Sequence, residues 1–261
     1  MKKNKRYKVL FIILIIYFLV FFCLLGVNNL KEKSHEAILF VGDSTMWKYS
    51  GKKWINITNE STIKDLGWKE YHVYQDNKYY GDYYLWYDDS RWYAFKEDKS
   101  AVKLEGEFLA YQANYDLNIK SFQTKEITNN TYVHQVLRDN NLKTSERLTV
   151  KNIVSVDIDN DGINEDFYVI SNAFATDYYP KELFSIVFMV QNEQIYPIYT
   201  NIGDEKFGNT CKPFIRTFLD INNDNTHEVL VSCGKYSIQK PEDMLFQLTE
   251  KEGFKLLISN Q

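Results

Sequence analysis

The chain has 261 residues, 44% of them hydrophobic, and a formal net charge of -4 at pH 7. That length supplies one large domain or two small ones with a real apolar core. No basic cluster lies beyond the first eight residues, so a nucleic-acid partner has no electrostatic support and none is expected.

In chain order, residues 1–8 form a basic flank carrying Lys2, Lys3, Lys5, Arg6 and Lys8. Residues 9–27, "VLFIILIIYFLVFFCLLGV", then run for 19 positions without a charge, long enough to cross the hydrocarbon core as one transmembrane helix. The flank predicts a cytoplasmic N-terminus, with everything after Asn28 exported. The expected localisation is therefore the cell membrane of a bacterium, single-pass, with the C-terminal part extracytoplasmic and the membrane itself a partner through residues 9–27. A cleavable signal peptide is the rival reading. Its apolar region is usually shorter and no small-x-small pattern follows Leu25, which favours a retained signal-anchor. Cys23 follows bulky Val20, Phe21 and Phe22 rather than the small residues of a lipoprotein signal, and reads as an apolar membrane residue.

Residues 28–36 are a polar tether, "NNLKEKSHE". From residue 37 to 128 short β-branched and aromatic runs alternate with turn formers, which predicts a mainly β region. Hairpins are expected in "MWKYSGKKWINI", "EYHVYQDNKYYGDYYLWY", "YLWYDDSRWYAF" and, further on, "FMVQNEQIYPIY". Gly67 to Phe95 holds 12 aromatic residues, among them Trp68, Tyr79, Tyr80, Tyr83, Tyr84, Trp86, Trp92 and Tyr93. Such residues pack across strands and in cores; exposed, they would stack on the sugar rings of a cell-wall glycan. Residues 129–146 are a linker with a short helix, because Val133, Val136 and Leu137 share one helical face.

Residues 147–261 repeat. "IVSVDIDNDGINEDFYVIS" from Ile153 matches "IRTFLDINNDNTHEVLVSC" from Ile215, with Asp157 aligned to Asp220 and Glu165 to Glu228. Downstream, "FMVQNEQIYPIYTN" matches "FQLTEKEGFKLLISN" with one inserted residue. Each unit, 147–201 and 210–261, reads as strand, acidic loop, strand and hairpin, which is four antiparallel strands and the size of one propeller blade. "MWKYSGKKWINITN" echoes the same terminal hairpin, so the N-terminal half is open to holding diverged blades. The expected fold is a partial or diverged β-propeller preceded by the transmembrane helix.

The first loop sets Asp157, Asp159 and Asp161 at positions one, three and five, Gly162 at six, Ile163 at seven and Glu165 at nine. The second sets Asp220, Asn222, Asp224, Asn225, Thr226 and Glu228 at the same six places. Calcium takes six to eight oxygen ligands, and carboxylates at alternate positions can converge on one ion. A residue tolerant of left-handed backbone at position six makes the turn. An EF-hand is excluded, since position twelve is Tyr168 or Val231 and strands flank both loops.

This pattern resembles the calcium loops of the FG-GAP/VCBS repeat family, the blades of integrin-alpha-like propellers. The resemblance implies Ca2+ as cofactor, bound by Asp157, Asp159, Asp161, the Ile163 carbonyl and Glu165, and by Asp220, Asn222, Asp224, Thr226 and Glu228. It also implies extracellular adhesion or ligand binding. The expected role of the chain is a binding, adhesion or structural module with a cell-wall glycan or surface protein as partner and no reaction. The first loop offers four formal negative charges and the second three, so affinity is expected to fall in that order.

One enzymatic reading competes. "AILFVGDSTMW" is similar to the nucleophile block of SGNH (GDSL-type) hydrolases, which would make an esterase of Ser44 with Asp224 and His227 from "DNTH". That family's glycine and G-x-N-D blocks have no clear counterpart, and the repeat already accounts for "DNTH" as part of the second loop. His35, His72 and His134 show no paired zinc spacing. Cys211 and Cys233 are either a disulfide or two buried reduced thiols.

Overall fold

A computed structural model describes residues 36–260 apart from 43–44, 52, 59, 76, 89–90, 103, 105–107, 114–116, 146, 174–181, 205–210, 235–240 and 250–251. The predicted anchor, its basic flank and nearly all of the tether lie outside the described residues. Among the described residues no helix is long and apolar enough to cross a membrane. The expected single-pass membrane localisation is corrected on that finding and is not carried further.

The N-terminal part consists of β1 (Glu36–Val41), β2 (Thr45–Ser50), β3 (Trp54–Asn56), α1 (Glu60–Asp65), β4 (Lys69–Gln75), β5 (Lys78–Asp88), β6 (Arg91–Phe95), β7 (Ala101–Val102) and β8 (Phe108–Ala113). Its strands make one eight-stranded sheet in the order β3-β2-β1-β8-β4-β5-β6-β7. Strand β8 returns to pair antiparallel with both β1 and β4. The sheet curls: Phe40 of β1 meets Trp92 of β6 with ring centroids 4.6 Å apart, although three strands lie between them. The concave core holds Phe40, Tyr71, Val73, Leu85 and Ala110, with Leu66 after α1 at its edge.

Next come β9 (Asn118–Lys120), β10 (Thr124–Glu126) and α2 (Thr131–Asp139), then the repeats. The first contains β11 (Val150–Val156), β12 (Glu165–Ser171), β13 (Glu182–Gln191) and β14 (Gln194–Asp204). The second contains β15 (Lys212–Asp220), β16 (Glu228–Gly234), β17 (Glu242–Thr249) and β18 (Gly253–Ser259). Each is an antiparallel meander that takes one earlier strand at its edge, giving sheets β10-β11-β12-β13-β14 and β18-β17-β16-β15-β9. The chain is therefore mainly β with antiparallel sheets, as the strand pattern implies. Among the described residues the sheets close into neither a barrel nor a propeller, which corrects the expected propeller geometry. The physical reason is the packing: the sheets stack face on face.

Three apolar seams hold the stack. The two repeat sheets share a core of Val154, Ile158, Phe167, Val169, Met189, Phe218, Val229, Val231 and Met244. The second repeat turns its other face, with Leu219, Ile221, Leu230 and Leu245, to Leu39, Val41, Trp47 and Leu109 of the N-terminal sheet. The first repeat covers its outer face with α2, whose Val133, Val136 and Leu137 pack on Tyr168, Ile170, Ile186 and Phe188. Both repeat sheets are thus buried on two faces, which is why runs such as "FYVIS" and "EVLVSC" do not alternate with polar residues.

The sequence-predicted hairpins form between β2 and β3, β4 and β5, β5 and β6, and β13 and β14. In the last, Asn192 and Glu193 both have positive φ (51° and 63°), the two-residue turn whose twist suits flanking strands. Cys211, just ahead of β15, and Cys233 of β16 are bridged, with Cα atoms 5.3 Å apart. A loop of 22 residues closed this way stabilises the folded chain by roughly 3 kcal/mol.

Phe218 is wholly buried and meets Phe167 (4.8 Å) and Phe122 (5.2 Å) edge to face at the seam between the repeats. Phe218→Ala should cost about 3–5 kcal/mol, read as a shifted midpoint in urea unfolding. A loss below about 1 kcal/mol would mean the two sheets do not pack through this ring.

Candidate metal centre

The two acidic loops join β11 to β12 and β15 to β16, and they share four hydrogen bonds; the second adds Asp224 N–H to Asp220 Oδ1 (3.0 Å), which the first lacks. Ile158 N–H donates to Glu165 Oε2, and Ile221 N–H to Glu228 Oε2, each at 3.0 Å. Gly162 N–H donates to Asp157 Oδ2 (3.1 Å), and Asn225 N–H to Asp220 Oδ2 (2.9 Å). Ile163 N–H meets Asp161 Oδ1 (2.7 Å), and Thr226 N–H meets Asp224 Oδ1 (2.8 Å). Asp161 N–H and Asp224 N–H close on Asp159 Oδ1 (3.2 Å) and Asn222 Oδ1 (3.0 Å).

The backbone matches too. Position six is left-handed in both loops, Gly162 at φ 87° and Asn225 at φ 69°, as its residue types predict. Position four is left-handed as well, with Asn160 at 60° and Asn223 at 58°. Sequence reasoning did not single out that position, although asparagine in both copies was the available signal. It also passed over position two, where Ile158 and Ile221 are fully buried, one in each of two different seams.

In the first loop Asp157, Asp159 and Glu165 each bring a carboxylate oxygen within 4.8 Å of the others. Asp157 Oδ1 is buried without a hydrogen-bond partner. Glu165 is 1% exposed, and its second oxygen accepts from Gln191 Nε2 (3.2 Å). In the second loop Asp220 and Glu228 are buried, and Asn222 stands where the first has an acid. Glu228 is wholly enclosed and its Oε1 has no partner at all.

An enclosed carboxylate resists ionisation. Burial raises Glu165, with Asp159 and Asp161 adding repulsion against the opposing Ile158 N–H bond. Burial pushes Glu228 up to about 8, with Asp224 and Asp220 also raising it while Ile221 N–H pulls the other way. Nearby on β2, the Tyr49 phenol is raised by burial and then by Glu228 and Asp224. Asp157, Asp159 and Glu165 of the first loop are thus a group of oxygen donors that could hold a metal ion; among the described residues no such group of three is found at the second loop.

The remaining candidate residues fall as follows. Ile163 is 62% exposed, and its hydrocarbon side chain leaves only the backbone carbonyl as a donor to an ion. His227 is buried and its Nδ1 lies 3.0 Å from Ile158 O of the other loop. Asp224 Oδ1 is occupied by Thr226 N–H. Ser44 lies outside the described residues. Its neighbour Thr45 donates to Asp243 Oδ2 (2.6 Å), in a buried cluster where Ser232 also donates to Asp243 and Arg216 Nη2 lies 3.7 Å from it. Sequence reading missed this cluster. A one-residue bulge between Ile215 and Thr217 produces it, and the same extra residue makes the two copies differ in spacing ahead of their loops.

The chain matches no protein-family model, no curated protein and no solved structure. Nothing in these comparisons supports an enzymatic activity.

The enclosed glutamate sets a pH dependence. Its folded pKa of about 8 lies above the ordinary 4.5, so the folded state holds the proton more tightly. The stability this contributes is fully present below pH 4.5 and is lost as pH rises toward 8. Without added metal, wild-type stability should therefore fall relative to Glu228→Gln across that window in urea unfolding at several pH values. Parallel curves for the two proteins would remove Glu228 as the titrating group.

Proposed function

We propose that the chain is a calcium-binding β-sheet protein in which two acidic loops, similar to those of FG-GAP/VCBS repeats, rigidify a module that binds another macromolecule. The observation that carries this reading is the pair of loops that share four hydrogen bonds, each with one buried carboxylate oxygen left without a donor, Asp157 Oδ1 in the first and Glu228 Oε1 in the second. Oxygen-only donors favour calcium over the softer metals that prefer imidazole or thiolate. The first loop, with four carboxylates against three, is the tighter site. A bound ion neutralises the carboxylates that burial otherwise penalises, and so pins β11 to β12 and β15 to β16.

The partner surface in this reading is aromatic. On β5 and β6, Tyr84 pairs with Phe95 and Trp86 with Tyr93. Trp68, 48% exposed and held at φ 55°, packs on Trp86 (5.4 Å) and Phe95 (5.2 Å). A half-exposed tryptophan held in left-handed backbone is a strained arrangement of the kind found at ligand-binding positions, and flat rings suit the apolar faces of a polysaccharide. Retention on a polysaccharide matrix, weakened in Trp68→Ala, is the expected outcome. Equal retention of the two proteins removes that face as the contact.

For the metal itself, excess calcium should raise the melting temperature of the chain, because a ligand of the native state stabilises it by mass action. At a hundred times the dissociation constant the gain is about 2.7 kcal/mol per site. Asp157→Ala with Asp161→Ala should remove most of the first loop's share in differential scanning fluorimetry. A calcium response identical in this double variant would take the first loop out of the reading.

A further inference from the structure

The two loops touch. His227 N–H of the second donates to Ile158 O of the first (2.8 Å), and Asn160 Nδ2 of the first donates to Asn225 O of the second (2.7 Å). Asn160 and Asn225 are both left-handed residues of their loops, at φ 60° and 69°. The bond between them joins the two turns at left-handed residues of each. Ile158, whose carbonyl takes His227 N–H, is also the residue whose N–H holds Glu165. His227 immediately precedes Glu228, whose wholly buried Oε1 is unpartnered and awaits a positive charge.

From this contact we propose that the two loops bind calcium with positive cooperativity, the first ion winding its own turn and, through Asn160–Asn225 and His227–Ile158, the turn of its neighbour. The inference rests on the reading of both loops as calcium sites. Winding a loop of mutually repelling carboxylates costs conformational entropy and Coulomb energy. An ion at one loop meets part of that cost for the other, so the second ion binds with less left to overcome. Direct ion–ion repulsion acts the opposite way. Even with Glu228 holding its proton, six carboxylates against the four positive charges of two calcium ions leave the pair of sites net negative, so the second ion still enters an attractive field.

The test is a calorimetric titration of the full chain with calcium, in wild type and in Asn160→Gly. Asn160 is exposed and holds φ 60°, which glycine adopts freely, so the variant loses the inter-loop bond, and with it the Lys120 bond to Asn160 Oδ1, without losing a carboxylate. An unchanged calcium-free melting temperature verifies that it folds. The wild type should take two ions, the second at least about fivefold more tightly than independent sites would, the lower end of ordinary coupling between sites. Asn160→Gly should still take two ions with most of that factor gone. Two independent ions in the wild type, or the same coupling in Asn160→Gly, overturns the cooperative link and leaves the calcium reading standing. A single ion overturns the link, and no binding overturns both.

Discussion

Each loop is organised by a glutamate turned back on the strand that leads into it. Glu165 and Glu228 reach from position nine to the N–H of position two, and the same residues at position two, Ile158 and Ile221, sink their side chains into the cores. The acidic loop is thereby locked to the apolar interior at a single residue. That arrangement carries a cost, because one backbone N–H does not replace the water an ionised carboxylate gives up. The remaining charge must be protonated, paired or bound to a cation. Gln191 takes part of it in the first loop; nothing comparable meets Glu228 Oε1 in the second.

The stacked sheets give this local problem a wider reach. Ile158 plugs the seam between the two repeats, and Ile221 plugs the seam between the second repeat and the N-terminal sheet. The loops thus crown adjacent interfaces of one stack. The chain between β9 and β10 ties the layers further. Asn118–Lys120 joins the second repeat, Thr124–Glu126 joins the first, and Phe122 between them packs on Phe218. Lys120 at the end of that first strand donates to Asn160 Oδ1, which sets a positive charge beside the first loop. Winding of the loops and docking of the sheets are consequently parts of one cooperative structure.

How much of this was legible follows from what sequence encodes locally. The strand-rich composition, the hairpin turns, the helical face of Val133, Val136 and Leu137, and the doubled acidic spacing all depend on neighbours within a few residues. Propeller closure does not. Two copies of a four-strand unit fix how each sheet is built, but the choice between radial and face-to-face stacking lies in which faces are apolar. Here Tyr168, Ile170, Ile186 and Phe188 on one sheet, and Leu230 and Leu245 on the other, make both sheets two-sided. That signal was present in unbroken runs such as "FYVIS". The contact between Asn160 and Asn225 spans 65 residues and left no trace in either loop's own pattern. Nor could sequence say that Tyr71, Tyr83 and Leu85 of the aromatic segment face inward while Trp68 and Tyr93 stay exposed.

The two copies differ most where their surroundings differ, and the difference has a mechanical sense. The outer face of the first repeat meets an apolar helix and is itself apolar. The corresponding face of the second repeat meets the N-terminal sheet, and there a bulge delivers Arg216 to Ser232 (Nε to Oγ, 2.9 Å), with Asp243, Thr45 and Asn260 completing the cluster. Burial raises Asp243 above the ordinary carboxylate range, and Arg216, Ser232 and Thr45 offset only part of that rise. An apolar patch tolerates sliding by a residue or two, whereas a buried set of directional donors and acceptors is satisfied in one register. Thr45 to Asp243 bridges 198 residues of sequence, so the cluster fixes the N-terminal sheet on the second repeat at a single position. With that position fixed, β2 holds Tyr49 beside Glu228 and Asp224, and the N-terminal sheet becomes a wall of the second loop.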